Sequence, residues 1–351
     1  MKYNEVITLD ENFQPAFDLT NESGSYWKRF IPNIKFYDVL IKTLNSLESS
    51  DPKESQSLWM QGTYGTGKSH ATSVVKHLLS DPVEDFRDFI DKFEDKQLSY
   101  RLLHFRESNK ICPVILKGTS MITDSSTFSL AIQIAIKRAA PDMAVKDDFE
   151  TMIYQIETNP THIDWQKFIE NSELRPYVRS PQDLVKKLKD LDQNLFIILQ
   201  RMLSKNGTYF STLNLTEWLK QSVSEIKTKK DVSDLVIFWD EFTPVLEMPN
   251  SGVLVSEIQN IAELSKNDDI YLFVISHVIS HRRPAQANLI SEDVEKILGR
   301  FKVLDYSMEP ITTYHIMNAS LKKVNEELWD KLKDEHISKV DNAIKRILVE
   351  K

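Results

Sequence analysis

The stretch Gly62-Thr63-Tyr64-Gly65-Thr66-Gly67-Lys68-Ser69 decides the fold class of this chain. It fits the phosphate-binding loop pattern G-x-x-x-x-G-K-[ST] at every fixed position. The apolar run Leu58-Trp59-Met60 precedes it, and apolar residues follow it at spacings of three and four up to Leu79, as in a helix with one face on a sheet. Strand, glycine-rich loop and helix in this order predict a site for a nucleoside triphosphate.

Each position of this loop has a physical role. The glycines let consecutive backbone N–H groups turn inward around phosphate oxygens, and the following helix presents its positive end to the same anion. We expect Lys68 to reach the β- and γ-phosphates and Ser69 to ligate Mg2+ through its hydroxyl. The predicted nucleotide-binding residues are Gly62, Thr63, Tyr64, Gly65, Thr66, Gly67, Lys68, Ser69 and His70.

The composition is that of an ordinary globular protein, with 351 residues of which 41% are hydrophobic and 27% charged. This length allows more than one domain. No stretch approaches the roughly 20 apolar residues that span a bilayer, and the first five residues contain no apolar signal core. We therefore expect a cytoplasmic protein without a membrane partner.

The net charge of −8 disfavours a surface that coats nucleic acid nonspecifically. Three basic clusters leave a local contact with DNA open, the alternative being solvated helix faces or loops. These clusters are Lys186-Lys187-Leu188-Lys189, Lys227-Thr228-Lys229-Lys230 and His281-Arg282-Arg283.

Strand-like apolar runs alternate with helical patterns on both sides of a polar block. The runs begin near residues 58, 111, 235, 270 and 301, and their continuous apolar character predicts an α/β fold with a parallel sheet and helices on both faces. The predicted segments are an N-terminal segment at 1–56, the first part of a P-loop ATPase core at 57–140, a helical insertion at 141–230, the second part of the core at 231–311 and a C-terminal helical segment at 312–351.

The C-terminal segment is charged and shows helical spacing at Leu321, Val324, Leu328 and Leu332. This spacing predicts one helix through all four residues. The helical pattern still continues at Lys351, so the chain is either a piece of a longer protein or is capped by this helix.

An acidic pair follows the apolar run Leu235-Val236-Ile237-Phe238-Trp239. Phosphate-loop sites need a second, acidic element at the end of a nearby strand, often called Walker B. Asp240 would be the Mg2+ partner, where a carboxylate meets the metal that carries developing phosphate charge. Glu241 would be the general base that positions water against the γ-phosphate.

Two further residues are candidates on the same geometry. Ser276 ends a predicted strand and would sense the γ-phosphate or orient water, with His277 as the alternative occupant of that role. Arg300 would reach the γ-phosphate of a neighbouring subunit as an arginine finger, or else it is a surface residue at a helix end. Tyr26, Trp27 and Phe30 precede the loop, so they either stack beside the nucleotide base or pack in the core.

The order of these motifs resembles that of a AAA+ or closely related ATPase with an additional strand between the phosphate loop and the acidic pair. The resemblance covers roughly residues 25 to 310. Two short motifs, Gln61 to His70 and Trp239-Asp240-Glu241-Phe242, resemble more specifically the large ATPases of bacterial anti-phage systems of the BREX-like kind. The resemblance implies ATP-driven remodelling by a ring or a nucleotide-gated assembly. The long insertion and the short tail depart from that family.

Two hypotheses about function follow. The first is an ATPase motor or switch that self-associates or engages a partner protein through the helical insertion. The alternative is a scaffold that binds ATP and partners with negligible turnover. A small-molecule kinase fits less well because the acidic pair suits activation of water.

The guanine-reading Asn-Lys-x-Asp motif is absent from the sequence, which favours adenine as the base of the nucleotide. His277 and His281 are four residues apart but lack a third metal ligand.

Overall fold

The computed structural model describes residues 5–9, 17–19, 22, 24–116, 122–159, 162–208, 213–246, 252–277, 297–307 and 321–349. These residues form two compact units. One unit comprises Asp18–Ser307, and the other comprises Met1–Phe17 with Met308–Lys351.

The larger unit is built on a five-stranded sheet in which every neighbouring pair of strands is parallel. The strand order across the sheet is β3-β4-β5-β2-β6. Its strands are β2 (Ser57–Gly62), β3 (Ile111–Leu116), β4 (Asp234–Trp239), β5 (Ile270–His277) and β6 (Phe301–Asp305), while β1 (Ile7–Leu9) and β7 (Leu321–Lys323) belong to the smaller unit. The predicted α/β class and parallel sheet are thus confirmed.

Helices cover both faces of this sheet, as expected for parallel strands. The helices of the larger unit are α1 (Ile34–Glu48), α2 (Lys68–Ser80), α3 (Val83–Ile90), α4 (Lys96–Ser108), α5 (Ser125–Ala139), α6 (Asp148–Thr158), α7 (Trp165–Glu170), α8 (Pro181–Lys189), α9 (Gln193–Lys205), α10 (Leu215–Lys230), α11 (Thr243–Leu246) and α12 (Gly252–Glu263). The smaller unit contains α13 (Glu326–Val349).

Side-chain direction alternates along the strands and defines the two faces. Trp59 and Trp239 lie in the main apolar core with α5, α10 and α12. Met60 lies on the other face, where its sulfur is 3.9 Å from Thr72 Oγ1 of α2. The helix that follows the glycine-rich loop therefore packs on the face opposite the main core.

The edge position of β3 explains a proline within a strand. Pro113 has no N–H to donate, and proline is tolerated in edge strands because one side of such a strand needs no donors; β3 pairs only with β4 in the described sheet. The buried side chains on either side of it, Cys112 and Val114, anchor the strand to the core.

The predicted helical insertion contains two differently packed parts. Helices α6 to α9 form a second apolar core with the residues Leu130 and Ile134 of α5. Helix α10, by contrast, places Trp218 and Leu219 in the main core against the sheet. The predicted boundary at residue 230 thus groups a helix of the sheet layer with the helices of the second core.

One described helix differs from expectation. Helix α4 was not predicted, although its N-cap Asp95 and the buried Leu98, Leu102 and Phe105 mark it in the sequence. A helix was also predicted near 291–298, but most of that range lies outside the described residues.

The prediction of one helix through Leu321, Val324, Leu328 and Leu332 is wrong for the first two residues. Leu321 lies in β7 and pairs with Leu9 of β1 in an antiparallel ladder. Val324 N–H donates to Val6 O at 2.8 Å, which extends that pairing. Asn325 then starts α13, because its side chain accepts from Leu328 N at 3.0 Å. A capping residue between the two halves of the pattern is a stronger signal than the spacing across it.

Candidate functional site

The glycine-rich loop joins the end of β2 to the start of α2. Gly65 and Gly67 have left-handed backbones, with φ of 75° and 81°. A Cβ added at either residue would meet no atom within 4 Å, so the space in front of the loop is open. Gly67 is the N-cap of α2 and offers no side-chain acceptor. The N-cap residue therefore has no side chain that accepts from the first N–H groups of this helix.

Gly62 is required for a different reason. A Cβ at this position would lie 2.1 Å from Tyr306 O, far inside the contact distance of two atoms. Tyr306 N–H donates to Gln61 O at 2.7 Å, and Gln61 Nε2 donates to Asp305 Oδ1 at 2.6 Å. These hydrogen bonds hold the segment after β6 against the backbone at the start of the loop.

Lys68 is buried, and its ammonium group is held by the loop itself. Lys68 Nζ donates to the carbonyl oxygens of Gly62 at 3.0 Å and Thr63 at 2.8 Å. Thr66 Oγ1 donates to the same Thr63 carbonyl at 3.0 Å. Burial lowers the pKa of Lys68, and the negative charge of Asp240 opposes that shift. The loop lysine and the first acidic residue therefore share one electrostatic environment.

The acidic pair lies directly beyond β4. Asp240 is half-buried and accepts a hydrogen bond from the Glu241 N–H at 2.8 Å. Glu241 is exposed and has a left-handed backbone with φ of 57°. This conformation is uncommon for a residue with a side chain and costs on the order of 1 kcal/mol. Phe242 follows as a fully buried residue, and its N–H donates to Ile275 O at 2.9 Å.

The end of β5 lies between the loop and the acidic pair, because β5 pairs with β2 on one side and β4 on the other. Ser276 is buried, and its Oγ accepts from Trp59 Nε1 at 2.7 Å on the face of the main core. His277 is the residue that contacts the loop, with its ring centroid 5.5 Å from that of Tyr64. The predicted role of Ser276 in phosphate sensing stays a prediction.

The sequence contained a signal for the position of His277. Residues 273, 275 and 277 share one face of β5, and Phe273 contacts Phe238 away from the main core. His277 is therefore on the face of α2, whereas Ser276 is on the face of Trp59. Strand alternation predicts this difference, but only once the two faces have been assigned to their helices.

The aromatic residues before the loop pack along α2. Trp27 is buried and stacks on His77, with centroids 4.7 Å apart. Tyr26 and Phe30 are half-buried and both contact His70, at 5.6 Å and 5.2 Å. Core packing is thus the observed role of Trp27. Tyr26 and Phe30 contact His70, which is next to the predicted Mg2+ ligand Ser69.

The pKa values of two histidines of α2 are shifted in opposite directions. Burial lowers the pKa of His70 to about 4. Burial also acts to lower the pKa of His77, but hydrogen bonds to Asp81 and Glu22 outweigh it and raise that pKa. Glu22 additionally accepts from Ser73 and Lys76, so this carboxylate joins the N-terminal segment to the middle of α2.

Arg300 lies at the end of the sheet where the strands begin, whereas the loop lies where β2 ends. It precedes β6, whose first residue Phe301 is level with Ser57 at the start of β2. Its Nε is 2.5 Å from Glu263 Oε1 at the end of α12. The side chain is 46% exposed and does not approach the loop of its own chain. Its predicted role toward a neighbouring subunit stays a prediction.

The lysines of the basic cluster at 227–230 contact acidic side chains and backbone carbonyl groups. Lys227 pairs with Asp269, while Lys229 pairs with Glu225 and also donates to Asp142 O. Lys230 donates to Ala139 O. The cluster at 281–283 lies outside the described residues, as does His281 of the histidine pair.

The described residues also bear on metal clusters and on membrane-spanning helices. No group of three or more His, Cys, Asp or Glu side chains there is arranged to hold a metal ion. A site made by Ser69, Asp240 and phosphate oxygens would not be of that type. Within the same residues, no helix combines the length and apolar character needed to cross a membrane.

Neither a protein-family model nor a curated protein matched this chain.

Proposed function

We propose that this protein binds ATP with Mg2+ at the loop between β2 and α2 and hydrolyses it with the help of Glu241. The observation that carries the proposal is the position of Lys68 and Asp240, which follow β2 and β4 on the two sides of β5. These residues are far apart in sequence, and they come from separate strands that end at the same edge of the sheet. A cationic group, an acidic pair and the N-terminus of α2 at one edge form a set suited to a phosphorylated ligand.

The strand order supports the same proposal. The resemblance to AAA+-like ATPases implies an additional strand between the loop and the acidic pair in sequence, and β3 occupies that position. In the sheet, β5 separates the two strands, so the acidic pair lies about 10 Å across from the loop at normal strand spacing. That width leaves room for a phosphate group and a water molecule between them.

The residues of the site fit a Mg2+-triphosphate ligand. Gly65 and Gly67 leave open space in front of the α2 N-terminus, and Lys68 supplies a positive charge there. Ser69 and Asp240 are the oxygen donors that would hold Mg2+, which neutralises phosphate charge when bound. Lys68 would exchange its carbonyl partners for phosphate oxygens. Glu241 would orient and deprotonate the attacking water from an exposed position at the strand end.

Arg300 favours a second candidate, the nucleotide-gated scaffold. Its ion pair with Glu263 engages the candidate arginine finger within its own chain. Turnover by a single chain would then be slow, and assembly or a partner protein would have to reposition Arg300. Both candidates require the same nucleotide site, and they differ in whether Glu241 turns the ligand over.

The proposed biological setting is a bacterial anti-phage assembly of the BREX-like kind. It rests on the two short motifs around Gly62 and Asp240 alone. The proposed location is the cytoplasm, and self-association or a partner protein would engage the helices α6 to α9. DNA contact is the least supported of these proposals because the Lys227 cluster is internally paired.

Equilibrium binding of a fluorescent ATP analogue tests the nucleotide site. We expect saturable, Mg2+-dependent binding to the wild type that unlabelled ATP displaces better than GTP. Lys68→Ala should weaken it by at least about tenfold, since a charge-assisted contact is lost. Lys42→Ala is the matched control, because Lys42 pairs with Asp38 on the surface of α1. Equal binding by both variants, or no binding by the wild type, would contradict the proposal.

A further inference from the structure

His277, the last residue of β5, contacts both halves of the proposed site. It lies opposite Gly62 in the register of β5 with β2. Its imidazole ring lies beside the Tyr64 ring, with centroids 5.5 Å apart and planes inclined by 39°. Its backbone N–H donates to Thr243 Oγ1 at 2.9 Å. One residue thus reaches the loop through its side chain and the segment after the acidic pair through its backbone.

The acidic pair depends on β5 for its position. Glu241 has a left-handed backbone, which its own side chain does not favour, so the surrounding contacts must hold it there. Two hydrogen bonds fasten the residues after it to the end of β5. They run from Phe242 N to Ile275 O and from His277 N to Thr243 Oγ1, both at 2.9 Å. The Phe242 ring is also wedged between Trp59 and Trp239.

The contact between Tyr64 and His277 is not explained by burial of the tyrosine. Tyr64 is 88% exposed, so removing its ring from water contributes little. His277 Nδ1 is buried, and it has no hydrogen-bond partner in the described part of the chain. The imidazole is therefore oriented by packing rather than by a hydrogen bond from its own ring, and the Tyr64 ring is one of the surfaces against it.

We propose that His277 is a positioning residue that couples the loop to Glu241. In this arrangement the Tyr64 ring orients the imidazole of His277. The backbone N–H of His277 holds Thr243 in place and therefore also holds the preceding residues Asp240 and Glu241. A shift of the loop around a bound phosphate would thereby move Glu241 relative to that phosphate. The inference rests on the proposed function and names positioning residues for the same site. Neither Tyr64 nor Thr243 contacts reacting atoms in this role.

The role predicts a change in turnover with little change in nucleotide affinity. Thr243→Val keeps the shape of the side chain but removes the acceptor, so kcat should fall by about 10- to 100-fold. The dissociation constant for ATP should stay within about threefold of the wild type. Thr243→Ser is the matched control because it retains the hydroxyl, and it should restore turnover. Tyr64→Ala should lower kcat in the same way at saturating ATP, and its dissociation constant is measured separately because Tyr64 is also a predicted nucleotide-binding residue.

Hydrogen–deuterium exchange provides a readout that does not need turnover. A peptide covering residues 240–246 is followed with and without a non-hydrolysable ATP analogue. We expect the analogue to slow its exchange in the wild type and in Thr243→Ser. In Thr243→Val and Tyr64→Ala that protection should drop by about tenfold, the effect of losing one hydrogen bond. Thermal unfolding of each variant confirms that it is folded.

The possible failures are distinguishable. If the wild type binds the analogue but Thr243→Val and Tyr64→Ala keep normal kcat and normal protection, the coupling is overturned while the nucleotide site stands. The same holds if binding leaves the exchange of residues 240–246 unchanged in the wild type. If the wild type does not bind the analogue, the proposed function fails and the coupling fails with it.

Discussion

Gly62 holds the start of the loop through a close backbone approach. A Cβ at this residue would lie 2.1 Å from Tyr306 O, and backbone atoms cannot rotate away as a flexible side chain can. We expect Gly62→Ala to destabilise the fold by about 1–3 kcal/mol, the usual cost of overpacking. Urea denaturation measures this change. Gly252→Ala is the control, since an added Cβ there meets nothing within 4 Å, and an equal loss in both variants would contradict the argument.

Glu241 has a backbone that suits glycine better than glutamate. Replacing it by glycine removes the left-handed strain, so Glu241→Gly should stabilise the fold by about 1 kcal/mol while turnover is lost. Glu241→Gln keeps the Cβ and should leave stability unchanged with the same loss of turnover. The paired result from thermal unfolding and turnover assays would separate strain from chemistry. A destabilised Glu241→Gly variant would count against a strained catalytic residue.

His70 makes stability depend on pH below neutrality. Its folded pKa of about 4 lies below the ordinary histidine value of 6.5. Above pH 6.5 the ring is neutral in both states, and as pH falls toward 4 only the unfolded chain gains the proton. The free energy of unfolding should therefore drop by about 3 kcal/mol over that window.

Denaturant titrations of wild type and His70→Gln at several pH values measure this term. The variant should show a smaller loss between pH 6.5 and 4, because glutamine does not titrate. His77 contributes in the opposite sense, since its raised pKa adds stability that is complete below pH 6.5 and is lost as pH rises through the folded value. Parallel curves for wild type and variant would contradict the role of His70.

Some site residues could be predicted from linear pattern and others could not. The residues of the loop and the acidic pair follow one another in sequence, so a short pattern identifies them. The contact of Tyr64 with His277 depends on which face of β5 meets α2. The ion pair of Arg300 with Glu263 joins the end of α12 to the start of β6. Neither follows from local spacing, because both depend on how separate elements pack.

At the scale of the element, the start of β2 is held by a buried hydroxyl. Ser57 is fully buried, accepts from Leu272 N at 3.0 Å and donates to Ala262 O at 3.1 Å. Ser57→Ala would leave both backbone groups without that partner, and we expect a cost of about 1–3 kcal/mol. Ser256→Ala is the control, since its exposed hydroxyl bonds only within α12. Equal unfolding free energies for the two variants would show that the buried hydroxyl contributes little.

The strands that carry the site were predictable because each is a short apolar run that ends in glycine or polar residues. Helix α4 was missed because its three buried residues are diluted by charged ones. Leu321 was assigned to a helix because its spacing from Leu328 fits a helical period, whereas its pairing with Leu9 depends on a segment more than 300 residues away. Local periodicity cannot report such long-range pairing.

At the scale of the whole molecule, the sequence pattern predicts a sheet covered by helices, but it does not predict which helices share a core. Helices α6 to α9 have their own core, while α10 completes the layer over the sheet. The smaller unit joins the two ends of the chain through β1 and β7. Composition and spacing do not contain this information, because an apolar face predicts that a helix packs against another element but not which core it joins. The proposed function depends instead on the residues at the ends of β2, β4 and β5, which lie at the same edge of the sheet.

The most direct test of the account is ATP turnover per chain as a function of protein concentration. Wild type, Lys68→Ala and Glu241→Gln would be compared, with binding measured on the same samples. We predict turnover that rises with concentration in the wild type, loss of binding and turnover in Lys68→Ala, and retained binding without turnover in Glu241→Gln. Turnover that persists in either variant would contradict the assigned site, and binding without turnover at every concentration would leave the scaffold as the function.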